Sequence, residues 1–245
     1  MPISPLGLLD RVLHGRAAQP MPVTPTMPLQ GLTILAVEDS RFASDALRLM
    51  CQRSGARLRR VDTLQAAYAH LRVYRPDVIL VDLGLPDGRG DALIGDLAQH
   101  RPQGPIVIGI SGDPGGQAVA IMAGAHGFIE KPFPSLAAFQ AEILRHLPDR
   151  ADRAAPNAAE LTPSADPLAL RDDLEHAAAL LQTDPNSGQR RYLAGFVGGI
   201  ARAANDPALA RAATTLADAQ GLDGLRRLLH ARISGTNDAF DGRTR

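Results

Sequence analysis

Five polar positions stand out because each lies at or just past the end of a short apolar run. Glu38 and Asp39 follow Leu32 to Val37, Asp82 follows Val78 to Val81, and Ser111 follows Ile106 to Ile110. Lys131 comes one residue after the run Gly127 to Ile129. Unbroken apolar runs rich in Val and Ile, bounded by Gly and Pro, read as strands buried on both faces of a parallel sheet. The carboxyl ends of such strands share one edge, where open α/β sheets place their ligand crevices. Three carboxylates gathered there repel and raise one another's pKa unless a cation joins them. Hard oxygen donors with open positions suit Mg²⁺, which keeps several waters and takes phosphate oxygens readily. An ammonium and a hydroxyl beside them can hold phosphoryl oxygens, with a carboxylate as the nucleophile. Taken alone, Asp82 in the stretch Asp82-Leu83-Gly84-Leu85-Pro86 also reads as a turn-forming Asp that merely ends a strand.

The chain's basic residues sharpen one of these positions. Lys131 is the only lysine among the 26 Lys and Arg residues. A compact ammonium is not interchangeable with a guanidinium where a point charge is required. The alternative is a surface lysine retained by chance. Acids and bases balance at 26 each, which argues against a broad footprint for nucleic acid or anionic lipid. One cysteine, Cys51, excludes an internal disulfide framework and reads as a buried helix residue. No apolar run is long enough to span a membrane, and Met1 to Gly15 does not read as a signal peptide. A cytoplasmic location is the default expectation.

These positions need elements to hold them. Leu32 to Val37, Arg57 to Val61, Val78 to Val81, Ile106 to Ile110 and Gly127 to Ile129 read as strands. Helices are predicted from Ser40 to about Ser54, Thr63 to about Tyr74, Asp91 to His100, Gln117 to Ala123 and Ser135 to Leu147, with Ser40 and Thr63 as N-caps. Five βα units predict an α/β fold, a doubly wound five-stranded parallel sheet with helices on both faces. Ahead of it, residues 1–30 read as a short amphipathic helix (Ile3 to Leu13) and a Pro-rich linker, an appendage that docks, pairs with a second copy or stays loose. Residues 149–166 read as a second linker and 167–235 as a C-terminal all-α helical bundle, with a disordered tail over 236–245.

The segment 31–148 resembles the receiver domain of two-component response regulators. The resemblance rests on Glu38-Asp39, Asp82, Ser111 followed by Gly112, Phe128, and Lys131-Pro132-Phe133. It implies that a sensor histidine kinase or a histidine phosphotransfer protein donates a phosphoryl group to Asp82. It further implies Mg²⁺ held by Asp39, Asp82, Glu38 through water, and the Gly84 carbonyl. Ser111 and Lys131 would grip the new phosphoryl oxygens, and Phe128 would follow Ser111 inward as the switch residue. The implied protein is a phospho-acceptor in signalling that catalyses only its own phosphoryl transfer and dephosphorylation. Two departures bear on the phosphoryl lifetime: Gly84 leaves the pocket more open than the larger residue common there, and Asp113 adds negative charge at the rim.

The helical segment is less telling. Its Arg190-Arg191 and Arg226-Arg227 pairs read as solvated faces, and about as many acids as bases follow Arg150, which counts against DNA as a partner. The stretch Gly195 to Arg202 weakly resembles the active-site helix of a histidine phosphotransfer domain, but Gly195 and Gly198 stand where that motif needs its His and Lys. His176 and His230 fall outside the motif. Gly195, Gly198 and Gly199 are costly inside a helix, so close packing within the bundle is expected of them, or else a surface for a partner or a second copy. The reading is an output through protein contacts, with an atypical DNA-binding output as the alternative.

Overall fold

The computed structural model describes residues 27–99, 104–133, 135–147, 166–216 and 219–241. The short helix and linker predicted over 1–30 lie outside the described residues except at 27–30, and the linker over 149–166 lies outside except at 166. The described chain forms two compact units.

In the first, strands β1 (Thr33–Val37), β2 (Arg57–Val61), β3 (Val78–Asp82), β4 (Ile106–Ser111) and β5 (Gly127–Glu130) alternate with helices. Those helices are α1 (Arg41–Ser54), α2 (Leu64–Leu71), α3 (Gly90–Ala98), α4 (Gly116–Ala123) and α5 (Leu136–Leu144). The sheet is wholly parallel in the order β2-β1-β3-β4-β5. The apolar runs are strands because both of their faces are covered. Leu35, Val37, Ile79, Val81 and Val107 enter one core cluster with Leu93, Ile94 and Leu97 of α3. The intervening Ile34, Ala36, Leu80 and Ile108 are buried as well. β2 differs: only Val61 of Arg57–Val61 is buried, as befits an edge strand carrying three arginines.

Local chemistry starts the helices where the sequence marks them. Ser40 Oγ accepts from the Ala43 N–H at 3.0 Å and Thr63 Oγ1 from the Ala66 N–H at 3.2 Å, each satisfying an orphan donor of a first turn. α2 ends at Leu71 rather than near Tyr74. A short two-stranded hairpin, Gly84–Leu85 with Gly88–Arg89, fills the turn after β3, where the sequence suggested only a loop. Cys51 is buried in α1, as expected, and burial pushes its thiol pKa up to about 12.

The second unit contains helices α6 (Pro167–Leu181), α7 (Ser187–Ala203), α8 (Pro207–Thr214) and α9 (Ala219–Asp241). Leu174, Ala177, Leu181, Leu193, Val197, Leu209, Leu225 and Leu229 share its core. Each helix but the last opens on a polar cap: Asp166, then Asn186 in a reciprocal capping box with Gln189, then Asp206. Two expectations fail here. The final helix runs on to Asp241, where loss of pattern suggested a disordered tail beyond residue 235. Extending an existing helix gains a hydrogen bond per residue without a new nucleus, so weak local propensity does not stop it. Close packing does not explain the glycines either: a Cβ added at Gly195 or Gly199 would meet nothing within 4 Å among the described residues. At Gly198 it would make only ordinary contacts with Arg202 and Ala213.

Candidate functional site

Register alone brings the polar strand ends together. Val37 pairs with Val81, so Glu38 and Asp82 lie side by side on adjacent strands. Asp82 pairs with Ile110, which places Ser111 one step further on the next strand. Ser111 pairs with Glu130, and the Lys131 N–H donates to the Ser111 carbonyl at 2.9 Å. The five residues therefore line one sheet edge, as the strand-end pattern implies.

The side chains converge further. Lys131 Nζ lies 2.8 Å from Asp82 Oδ2 and 2.6 Å from Glu38 Oε2. Glu38 is fully buried, and the side chains of Lys131 and Asp82 are each 11% exposed. Glu38, Asp39 and Asp82 each present a carboxylate oxygen within 4.8 Å of the others. Burial pushes the Glu38 carboxyl above the ordinary carboxylate range; the Asp82 and Asp39 charges add to the rise, and Lys131 opposes it. Burial alone would discharge Lys131, but the Asp82 and Glu38 carboxylates outweigh it and hold the ammonium above the ordinary lysine range. A low-dielectric crevice with two carboxylates on one ammonium and a third carboxylate beside them fits a small divalent cation. The resemblance's proposed ligands Glu38, Asp39 and Asp82 are brought together accordingly.

The remaining predicted residues sit around this centre. Gly84 is exposed; its N–H donates to Asp82 Oδ1 at 3.3 Å, and a Cβ there would meet nothing within 4 Å among the described residues. Ser111 is buried, with its hydroxyl accepting from the Asp113 N–H at 3.1 Å. Phe128 is half-buried on β5, and a Cβ at Gly116 would come within 2.7 Å of Ser111 Cβ and 3.2 Å of Phe128 Cζ. Gly116 is thus the point at which Ser111, Phe128 and the start of α4 meet. The Lys131–Pro132 peptide is cis.

Three contributors escape sequence reasoning. Gly90 admits the Asp82 carbonyl: a Cβ would stand 1.9 Å from that oxygen. Asp87 pins the turn after Asp82 by accepting from the Leu64 and Gln65 N–H groups at 2.9 Å each, capping α2 from another segment. Arg60 reaches from β2 to the backbone of the acidic pair. A glycine in a glycine-rich turn and an Asp in a loop carry no pattern that distinguishes these roles.

Comparison with known proteins agrees with this geometry. The model of the response regulator receiver domain matches residues 34–143. Residues 34–143 are a response regulator receiver domain. The KDP operon transcriptional regulatory protein KdpE of Escherichia coli (strain K12) is 35% identical over 100 residues, covering 41% of this chain and 44% of that protein. Transcriptional regulatory protein PhoP of the same organism is 29% identical over 103 residues, covering 42% and 46%. The chain thus spans less than half the length of these relatives. Among solved structures, a response regulator receiver domain protein from Methanospirillum hungatei JF-1 aligns at 22% identity and a TM-score of 0.44, over 50% of this chain and 98% of that one. Beside the receiver domain, no described helix is long and apolar enough to cross a membrane.

Proposed function

We propose that the chain is a two-component response regulator whose receiver domain takes a phosphoryl group on Asp82 from the phosphohistidine of a sensor kinase or phosphotransfer protein. The observation that carries this reading is the Lys131 ammonium, 2.8 Å from Asp82 and 2.6 Å from Glu38, at the sheet edge that also presents Asp39. An Asp82 carboxylate oxygen attacks phosphorus, the N–P bond to the donor imidazole breaks, and an aspartyl phosphate forms while the imidazole leaves. Glu38, Asp39 and Asp82, with the Gly84 carbonyl, would hold Mg²⁺, which when bound offsets the negative charge of the incoming phosphoryl group. Lys131 supplies a fixed positive charge for the phosphoryl oxygens, and the Ser111 hydroxyl supplies a hydrogen bond. Phe128 follows Ser111 in the switch between two states, a population shift that carries the signal.

In this reading residues 31–148 are the switch and the helices from 167 onward the output, acting through contacts with another protein. The bundle's ion pairs support a protein target: Arg171 with Glu175, Arg226 with Asp223 and Arg232 with Asp206 spend guanidinium groups within the unit. The second reading is a DNA-binding output, favoured by the names of the relatives, which are transcriptional regulatory proteins.

Incubating the full chain with a small-molecule phosphodonor and Mg²⁺, followed by intact-mass measurement, tests the switch. Wild type gains one phosphoryl group, while Asp82→Asn and chelator-treated protein do not. Gain of the group by Asp82→Asn at the wild-type rate would refute the assignment. A gel shift with genomic fragments separates the two outputs.

A further inference from the structure

The acidic pair is held from outside by the edge strand. Arg60 lies at the carboxyl end of β2, paired in register with Ala36, two residues before Glu38. Its Nε donates to the Glu38 carbonyl at 3.2 Å and its Nη2 to the Asp39 carbonyl at 3.1 Å. The Val61 carbonyl accepts from the Glu38 N–H at 2.9 Å. Both backbone polar groups of Glu38 and the carbonyl of Asp39 are therefore engaged by two consecutive residues of β2. Arg60 is otherwise a solvent-facing residue on an exposed strand, unlike its neighbour Arg59, which stacks on the Tyr74 ring.

We infer that Arg60 is a positioning residue for the cation site: its guanidinium fork fixes the peptide carbonyls of Glu38 and Asp39, and thereby the directions from which their carboxylates reach Asp82. The inference rests on the reading above, in which these three carboxylates hold Mg²⁺. A planar fork suits the task because it spans two successive carbonyls at once, which a single ammonium does not. Rotation of those peptide planes moves carboxylate oxygens that now lie within 4.8 Å of one another.

Two effects of Arg60 on a dication oppose each other, and their signs differ. The guanidinium charge repels the ion, so removing it should tighten binding if charge decides. Its hydrogen bonds orient the ligands, and loss of such outer partners typically weakens metal binding by about 10- to 100-fold. Because Arg60 is exposed, water screens its charge, whereas its hydrogen bonds fix geometry directly. Orientation therefore wins, and the expected change is a loss near the lower bound, about tenfold.

The test is calorimetric titration of Mg²⁺ into the full chain as wild type, Arg60→Gln, Arg60→Lys and Asp39→Asn, with thermal unfolding of each variant recorded in the absence of metal. Arg60→Gln is expected to bind about tenfold more weakly than wild type with its unfolding midpoint nearly unchanged. Arg60→Lys, which keeps the charge but not the fork, weakens as well and serves in place of Arg60→Gln should that variant lose its fold. Binding by Arg60→Gln that equals or exceeds wild type overturns the inference while leaving the cation site standing. Wild type that binds no better than Asp39→Asn overturns the cation site, and the role of Arg60 with it.

Discussion

Lys131 Nζ is 2.8 Å from Asp82 Oδ2, and the same ammonium is 2.6 Å from the fully buried Glu38. One ammonium thus faces two acidic side chains delivered by the ends of adjacent strands. Breaking a buried pair by removing one partner leaves an uncompensated charge and costs about 3–5 kcal/mol. Lys131→Met is expected to lose stability on that scale in urea unfolding, and saturating Mg²⁺ should recover part of the loss by replacing the missing charge. Unchanged stability would show that the carboxylates tolerate one another without the ammonium.

The helical unit offers a pH signature. Asp206 caps α8 by accepting from the Ala208 and Leu209 N–H groups, and Arg232 of α9 donates to it at 2.6 Å. The Arg232 hydrogen bond is the main cause that holds its carboxyl below the ordinary value of 3.8, against partial burial. A carboxyl whose folded pKa is depressed contributes stability above its unfolded pKa and loses it as pH falls through the folded value. Asp206→Ala should therefore cost about 1–2 kcal/mol near neutral pH, a cap-sized loss. The difference between variant and wild type should shrink once the pH falls below 3.8. Denaturant midpoints measured across that range check it, and a pH-independent difference would assign the effect to packing.

Glycines inside the helices behave oppositely according to what faces them. Among the described residues a Cβ at Gly195 or Gly199 meets nothing within 4 Å, whereas one at Gly221 would stand 1.9 Å from the Thr215 carbonyl oxygen. Gly195→Ala and Gly199→Ala are each expected to stabilise the unit by up to about 1 kcal/mol, the propensity difference between the residues. Gly221→Ala should destabilise it by about 1–3 kcal/mol, because backbone must move to admit the methyl group. Thermal unfolding of the three variants decides the signs.

Much of the receiver domain was legible because its central strands are buried on both faces. Val78 to Val81 has no polar interruption, and Asp82 breaks the run where the strand reaches the sheet edge. The caps Ser40 and Thr63 were equally plain, since a capping hydrogen bond spans only three residues. The helical unit was readable in outline and not in detail. Its final helix passes through Gly235 against local propensity, and the spacing of Gly195, Gly198 and Gly199 suggested a close approach that is absent at Gly195 and Gly199 among the described residues.

By itself the sequence determined the strand and helix periods, the carboxylates at the strand ends and the singular lysine. Those are properties of local burial and of residue type, which the period of two or 3.6 reports directly. Only the tertiary structure decided that β1 and β3 are neighbours, that Lys131 lies between Asp82 and Glu38, and that Arg60 reaches the backbone of the acidic pair. Strand order and register are set by how helices pack across the whole sheet. No local period carries that information, so contacts between distant strand ends appear only once the sheet is assembled.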